Sequence, residues 1–210
     1  MKRQLLILLF YLGNTNLFAQ DLTIKQLITK AENAIFTVFA ADEQGNTFSQ
    51  GSGFFISAQG VGITNYHVLD GAHSGYIKDK NGNKYKIKSI LDYNPNTDLV
   101  KFQVENTNLK SFNYLHISYR TQVKGEQIIN ISSPLGLEQT VSTGIISSIR
   151  TDEMHGSILQ ITAPISHGSS GSPVMDMKGN VVGIATFCRE GGQSLNFAVN
   201  ATQISKLSHK

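Results

Sequence analysis

Three short stretches of the chain contain a histidine, an aspartate and a serine that together could activate a hydroxyl nucleophile. His67 lies in GITNYHVLDGA, Asp98 in NPNTDLVKFQV and Ser170 in HGSSGSP. A serine hydroxyl is a weak nucleophile until a nearby base removes its proton, and histidine can take and return a proton near neutral pH. A carboxylate then holds the imidazole in the required tautomer. The set predicts acyl-transfer chemistry at Ser170.

The local patterns around these residues fit the chemistry. Glycines on both sides of Ser169 and Ser170 allow a tight turn that aims several N–H groups into one concavity, as an oxyanion requires. His67 follows a strand-like stretch, and Asp98 opens an alternating strand after an Asn-Pro turn. Three other carboxylates compete with Asp98, although turn formation or solvation explains them equally well: Asp70, Asp79 and Asp92.

Short strands are the elements that must position these residues. Apolar-rich runs are separated by turn signals such as Asn81-Gly82, and about a dozen of them without a long helix predict an all-β protein. The weak pattern at 106–119 suggests a linker between two halves, and 22–31 and 201–207 suggest short terminal helices. The clearest runs are 34–40, 51–57, 84–91, 98–104, 126–132, 140–149, 157–162, 181–187 and 194–199.

The first residues have the layout of a secretory signal peptide. Lys2 and Arg3 precede an apolar run of eight residues, LLILLFYL, which is far shorter than the ~20 residues of a membrane helix. We therefore expect 1–19 to be removed, leaving 20–210 as an exported chain, periplasmic or secreted, without a stable membrane span. Cys188 is the single cysteine, so no intramolecular disulfide can form, and a buried structural thiol is expected.

Composition excludes several other classes of protein. Of 210 residues, 40% are hydrophobic and 16% charged, which is too apolar for a disordered chain. Without Lys2 and Arg3 the 18 Lys and Arg residues fall to 16, against 15 Asp and Glu. This near-neutral charge, with no basic stripe, argues against nucleic acid or an anionic membrane surface as a partner.

The motifs TNYHV, TDLVKF and GSSGSP, in this order, resemble those of trypsin-like serine proteases of the bacterial HtrA (Deg) type. The stretches GSGFFIS, SPLGLEQTVSTGIISSIR, GNVVGIATF and SLNFAVN also look like family counterparts, so the resemblance covers most of the mature chain. The order His, Asp, Ser is that of the chymotrypsin fold, not of subtilisins or α/β-hydrolases. The resemblance implies two six-stranded antiparallel β-barrels, at about 34–108 and about 120–200.

The resemblance also implies roles for individual residues. His67 is the general base, Asp98 its orienting partner and Ser170 the nucleophile. The backbone N–H groups of Gly168 and Ser170, with Ser169 between them, form the oxyanion hole. No metal or organic cofactor is needed, and the substrates are polypeptides, including unfolded proteins.

The chain departs from the family pattern at a few positions. Ser169 stands where the family has Asn, Ser172 replaces a Gly, and Lys101 interrupts the apolar run after Asp98. HtrA proteases usually carry a C-terminal peptide-binding PDZ domain, and this chain ends before one could begin. The resemblance therefore implies no regulation of this chain through such a domain. It is compatible with a trimer built through the N-terminal segment.

The substrate pocket is expected beside the nucleophile turn. In this fold the residues before the turn and the strand after it line the pocket. Pro164 stands six residues before Ser170, where specificity for basic residues would require a carboxylate. We therefore expect cleavage after small or medium apolar residues. The expected lining residues are Ile165, Ala185, Thr186, Phe187 and Asn196.

Two other interpretations of the same residues stay open. The first is a catalytically silent module of the trypsin fold that binds peptides or partner proteins. The second is a metal site made of His67, Asp70 and His73, although their spacing lacks the usual ligand pattern of zinc sites.

Overall fold

The computed structural model describes residues 21–106, 111–133, 139–152, 156–188 and 195–207. In these ranges the chain is mostly strand, with a few short helices, as the apolar runs predict. The expected signal peptide at 1–19 lies outside them. Within the same ranges, no helix has the length and the apolar content needed to cross a membrane.

The first six strands close into an antiparallel barrel, barrel one. Its strands are hydrogen-bonded in the order β1-β2-β3-β6-β5-β4, with β1 pairing to β4 to close the ring. The bounds are β1 Ile35–Ala41, β2 Thr47–Phe55, β3 Val61–Thr64, β4 Ser74–Asp79, β5 Lys84–Asn94 and β6 Leu99–Val104.

Six of the later strands form a second antiparallel barrel, barrel two. They follow the order β11-β8-β9-β10-β13-β12, and pairing of β11 with β12 closes the ring. The two-residue β7 adds a short parallel pairing to β12. The bounds are β7 His116–Ile117, β8 Gln127–Ser132, β9 Thr140–Asp152, β10 Gly156–Ile161, β11 Pro173–Asp176, β12 Asn180–Cys188 and β13 Asn196–Asn200.

The helices are short and lie at the ends of the described chain or beside the site. The N-terminal α1 spans Ile24–Ala31 and begins at a capping box, in which Thr23 and Gln26 satisfy each other's backbone N–H groups. A single turn, α2, spans Tyr66–Leu69. The predicted C-terminal helix is a 3₁₀ helix, Ala201–Lys206. It and α1 both contribute to the apolar cluster between the barrels.

Three apolar clusters hold the two barrels and join them. Barrel one is filled mainly by aromatic rings, with centroids 4.6 Å apart for Phe36 and Phe55 and 6.1 Å apart for Phe36 and Phe102. Aliphatic side chains such as Leu159 fill barrel two. The largest cluster combines residues of both barrels, such as Ile63 and Ile184, so the barrels share one apolar interface.

Lys101, which interrupts the apolar pattern of β6, is buried. Its side chain is 7% exposed, and its Nζ donates to the carbonyl of Leu207 at 2.8 Å. The lysine therefore links barrel one to the residue that follows the C-terminal 3₁₀ helix, and a buried donor with an acceptor is far less costly than one without.

Two cross-strand pairs in barrel one place a phenylalanine ring over a glycine. Gly53 is opposite Phe36, and Gly62 is opposite Phe102. A Cβ at Gly62 would lie 2.6 Å from Cζ of Phe102 and 3.1 Å from Cζ of Phe36. Both rings therefore occupy the space that a side chain would need at Gly62.

We expect Gly62→Ala to lower the free energy of unfolding by about 1–3 kcal/mol, because the added methyl overpacks the barrel. Phe102→Leu should relieve the overlap, so the double variant should lose less than the sum of the two single losses. Urea unfolding of the four proteins measures this coupling. Gly82→Ala is the control for coupling: its φ of 85° strains an alanine, but a Cβ there meets nothing within 4 Å, so its loss should simply add to that of Phe102→Leu. Additive losses would contradict this packing.

Candidate active site

The structure brings His67 and Asp98 into direct contact on barrel one. Nδ1 of His67 lies 2.8 Å from Oδ2 and 3.0 Å from Oδ1 of Asp98, and the backbone N–H of His67 donates to Oδ1 at 3.0 Å. A carboxylate only accepts hydrogen bonds, so the proton of the neutral imidazole must be on Nδ1. Nε2 is then the acceptor, on a side chain that is 51% exposed.

Asp98 lies between the two barrels and is hydrogen-bonded from both. The hydroxyl of Thr186, on β12 of barrel two, donates to Oδ2 at 2.7 Å. Burial raises the pKa of Asp98, but the hydrogen bond and charge of His67 and the hydroxyl of Thr186 outweigh burial. The pKa of Asp98 therefore lies below its ordinary value, and the carboxylate stays ionised beside the imidazole.

The backbone of Asp98 is held in a left-handed conformation, with φ of 52°. Aspartate tolerates this region better than most residues, at a modest cost in energy. The Asp98 carbonyl accepts from Nδ2 of Asn65 at 2.8 Å and from the N–H of Tyr66 at 3.1 Å. Both donors flank His67 on its N-terminal side, so the same contacts align the base and the carboxylate.

Ser170 lies in the turn before β11, and its hydroxyl does not contact His67 in this conformation. Its Oγ donates to the backbone carbonyl of Thr186 at 3.0 Å. In the described part of the chain, no hydrogen bond joins Ser170 to His67. The hydroxyl of Ser170 is instead turned toward β12.

Some of the peptide N–H groups around Ser170 are engaged within the protein and others are not. The N–H of Ser169 donates to the carbonyl of Ser166 at 2.9 Å, and the N–H of Gly171 donates to that of Ala185 at 2.8 Å. By contrast, the N–H groups of Gly168 and Ser170 meet no acceptor among the described residues. These two N–H groups could donate to a ligand, whereas the N–H of Ser169, also expected in the oxyanion hole, donates to Ser166.

Barrel one and the nucleophile turn are in close contact at Gly171. With φ of 87°, this glycine lies where other residues are strained. A Cβ there would be 2.1 Å from the carbonyl oxygen of Ser52 and 2.3 Å from Oγ1 of Thr64. Thr64 ends β3, three residues before His67. Gly171 therefore lets the turn that carries Ser170 pack against β3.

Two of the expected pocket residues have their polar groups engaged inside the protein. The hydroxyl of Thr186 contacts Asp98, and Nδ2 of buried Asn196 donates to the carbonyl of Ala163 at 3.1 Å, so both polar groups are used internally. Ala185 is fully buried in the core of barrel two, whereas Ile165 is partly buried at its edge. Phe187 lies on β12, and its side chain is outside the described part of the structure.

The competing residues have other roles. Asp79 accepts from the N–H groups of Asn81 and Asn83 and so closes a hairpin turn, and Asp92 accepts from the N–H of Tyr93. A hydrogen bond to Asp70 raises the pKa of Tyr66. Among the described residues, no group of three His, Cys, Asp or Glu side chains is arranged to hold a metal ion. His67, Asp70 and His73 therefore do not form the metal site that their sequence positions suggested.

The family follows from comparison with known proteins. Residues 51–184, which include His67, Asp98 and Ser170, match the family model described as a trypsin-like peptidase domain. The chain belongs to this family. The crystal structure of the serine endoprotease from Yersinia pestis superposes with a TM-score of 0.76 at 28% identity, over 88% of this chain and 64% of that one.

Curated relatives of the chain are also named as serine proteases. Proteins named "Probable periplasmic serine endoprotease DegP-like" match this chain, among them one from Pseudomonas putida and one from Chlamydia muridarum. The one from Pseudomonas putida is 35% identical over 164 residues, which is 75% of this chain and 34% of the relative. The one from Chlamydia muridarum is 33% identical over 141 residues, 65% of this chain and 28% of the relative. The chain is thus similar to these DegP-like relatives and spans about a third of their length.

Gly171→Ala should reduce both stability and activity, because a Cβ at this position overlaps backbone and side-chain atoms of barrel one. The expected loss is about 2 kcal/mol or more in the free energy of unfolding, from strain and overlap together. Gly125→Ala is the matched control, with φ of 86° but nothing within 4 Å of a Cβ. Equal losses in the two variants, by urea unfolding, would show that the contact contributes nothing.

The depressed pKa of Asp98 predicts a pH dependence of stability. A carboxyl whose pKa is lower in the folded than in the unfolded protein stabilises fully above the unfolded value of about 3.9. That contribution is lost as pH falls through the folded pKa. Wild type should therefore lose more free energy of unfolding than Asp98→Asn between about pH 5 and about pH 2. Parallel pH curves for the two proteins would contradict this.

Proposed function

We propose that the chain is a serine endopeptidase in which Ser170 is the nucleophile, His67 the general base and Asp98 the residue that orients the base. The observation that carries this proposal is the His67–Asp98 pair, in which a buried carboxylate fixes the imidazole proton on Nδ1 and leaves Nε2 as the acceptor on an exposed side chain. Family membership and the glycine turn around Ser170 support it.

Catalysis first requires the hydroxyl of Ser170 to leave the carbonyl of Thr186 and turn to Nε2 of His67. Rotation about χ1 between staggered positions is a small and rapid change. Nε2 then removes the hydroxyl proton as Oγ attacks the carbonyl carbon of the substrate. The resulting imidazolium is stabilised by the carboxylate of Asp98, which remains ionised throughout.

The negative charge that develops on the substrate oxygen needs fixed donors. The N–H groups of Gly168 and Ser170 are available for this, and such donors typically lower the barrier by about 3–4 kcal/mol each. His67 returns its proton to the leaving amine as the C–N bond breaks. Water then attacks the acyl group on Ser170 in the same way, with His67 as base, and releases the free enzyme.

For specificity we propose cleavage after small or medium apolar residues. Pro164 stands where a specificity carboxylate would be expected, and the neighbouring Ile165 presents a partly buried apolar side chain. Thr186 and Asn196 use their polar groups inside the protein and are left out of the pocket. A peptide-library profile dominated by Lys or Arg before the cleaved bond would contradict this.

We further propose that the protein is exported and acts on polypeptides outside the cytoplasm. The charged start and apolar run of residues 1–19 support export, and the relatives named above are called periplasmic. A tagged chain should be recovered outside the cytoplasm with a mature N-terminus near Gln20. Full-length protein retained in the cytoplasm would contradict export and leave the catalytic proposal untouched.

A fluorophosphonate probe tests the nucleophile directly. Wild type should become covalently labelled on Ser170, as located by peptide mass spectrometry, because an activated serine attacks phosphorus as it attacks a carbonyl. Ser170→Ala should not label, whereas Ser169→Ala, one residue away, should still label. A folded wild-type protein without label would favour a catalytically silent module that binds peptides or partners.

The rate of peptide hydrolysis should fall as pH is lowered. Protonated His67 cannot accept the hydroxyl proton of Ser170, so kcat/KM should show an acid limb that reports a single essential base. Stopped-time assays with a fluorogenic peptide, between about pH 8 and about pH 5, measure it. A rate that stays constant over this range would exclude His67 as the base.

A further inference from the structure

Ser52, in the GSG stretch of β2, contacts the nucleophile turn through both its backbone and its side chain. The residue is fully buried. Its N–H donates to the carbonyl of Ser170 at 2.8 Å, and its Oγ donates to the carbonyl of Gly168 at 2.7 Å. A residue of barrel one thus holds two of the peptide groups that surround the nucleophile.

The hydroxyl of Ser52 is itself fixed from the other side. The backbone N–H of Ser133, just after β8, donates to Oγ of Ser52 at 2.9 Å. A serine hydroxyl has one proton to donate. With Oγ accepting from Ser133, that proton is directed to the carbonyl of Gly168.

The peptide group between Gly168 and Ser169 is consequently fixed at both ends. Its carbonyl accepts from Ser52, and its N–H donates to Ser166. This peptide lies between the two peptides that carry the free N–H groups of Gly168 and Ser170. Because planar peptides turn only at φ and ψ, fixing the central plane restricts the direction of both neighbouring N–H groups.

We propose that Ser52 is a positioning residue for the oxyanion hole: its buried hydroxyl, oriented by the N–H of Ser133, holds the carbonyl of Gly168 and thereby aims the N–H groups of Gly168 and Ser170 at the developing oxyanion. The inference rests on the proposed peptidase function. Ser52 touches no reacting atom, and its effect passes through the turn alone.

Ser52→Ala removes this hydroxyl with little change in volume. We expect kcat to fall by roughly tenfold to hundredfold, less than the ~10²–10³-fold loss on deleting an oxyanion donor, and KM to stay within about twofold. The affinity for a peptidyl boronic acid, whose adduct places an oxygen in the hole, should fall by a similar factor. The affinity for the product peptide should not change.

Ser133→Ala is the matched control. It removes a neighbouring buried hydroxyl that contacts Oγ1 of Thr37 at 2.7 Å, but keeps the N–H that orients Ser52. Its kcat and boronate affinity should stay within about twofold of wild type. If both variants lose kcat and boronate affinity equally, Ser52 has only a structural role and the proposal is overturned.

Two further measurements separate this proposal from failure of the proposed function. If wild type neither cleaves peptides nor labels, amide exchange by mass spectrometry still tests the turn. Ser52→Ala should increase exchange at 166–172 relative to wild type and Ser133→Ala, and unchanged exchange overturns the proposal. If Ser52→Ala does not fold, Ser52→Cys, a weaker donor of similar size, should lower the same readouts less steeply; wild-type values in that variant overturn it too.

Discussion

A carboxylate removed from water between two β-barrels is the constraint on which the site depends. Burying an ionised group is costly unless donors surround it, and Asp98 accepts from His67 on its own barrel and from Thr186 on the other. The unfavourable burial of the Asp98 charge is therefore offset only when the two barrels pack in the one arrangement that brings both donors to the carboxylate. The same contacts fix the tautomer of the imidazole. The packing of the barrels and the orientation of His67 therefore depend on the same hydrogen bonds.

The turn that carries Ser170 depends on a position that has no side chain. Gly171 has no Cβ where barrel one approaches it, and this lets Thr64 and Ser52 contact the backbone of the turn. Ser52 holds the carbonyls of Gly168 and Ser170, while the N–H groups of these two residues meet no acceptor among the described residues. A rigid turn with two such donors has the form that the proposed stabilisation of an oxyanion requires, because fixed donors need little rearrangement during a reaction.

Many of the strands and part of the candidate site could be predicted from the sequence, and there are physical reasons why the rest could not. Apolar-rich runs such as those of β1 and β8 were recognisable in the sequence, whereas β11 was missed because four residues carry little pattern. The pairing of His67 with Asp98 joins residues 31 apart and was expected only through family resemblance. Thr186 was expected in the substrate pocket because a strand pattern does not tell which of two nearby sites a hydroxyl will contact. Ser52 carried no signal beyond a Gly-Ser-Gly run in an apolar strand.

The central claim, that the contact of His67 with Asp98 and the turn of Ser170 form a working hydrolytic site, is tested most directly on a protein substrate. Purified mature chain should degrade unfolded casein without added metal, in a time course that Ser170→Ala abolishes while leaving the fold and melting temperature intact. Casein left uncleaved by a folded wild-type protein, or cleaved equally by Ser170→Ala, would contradict the account.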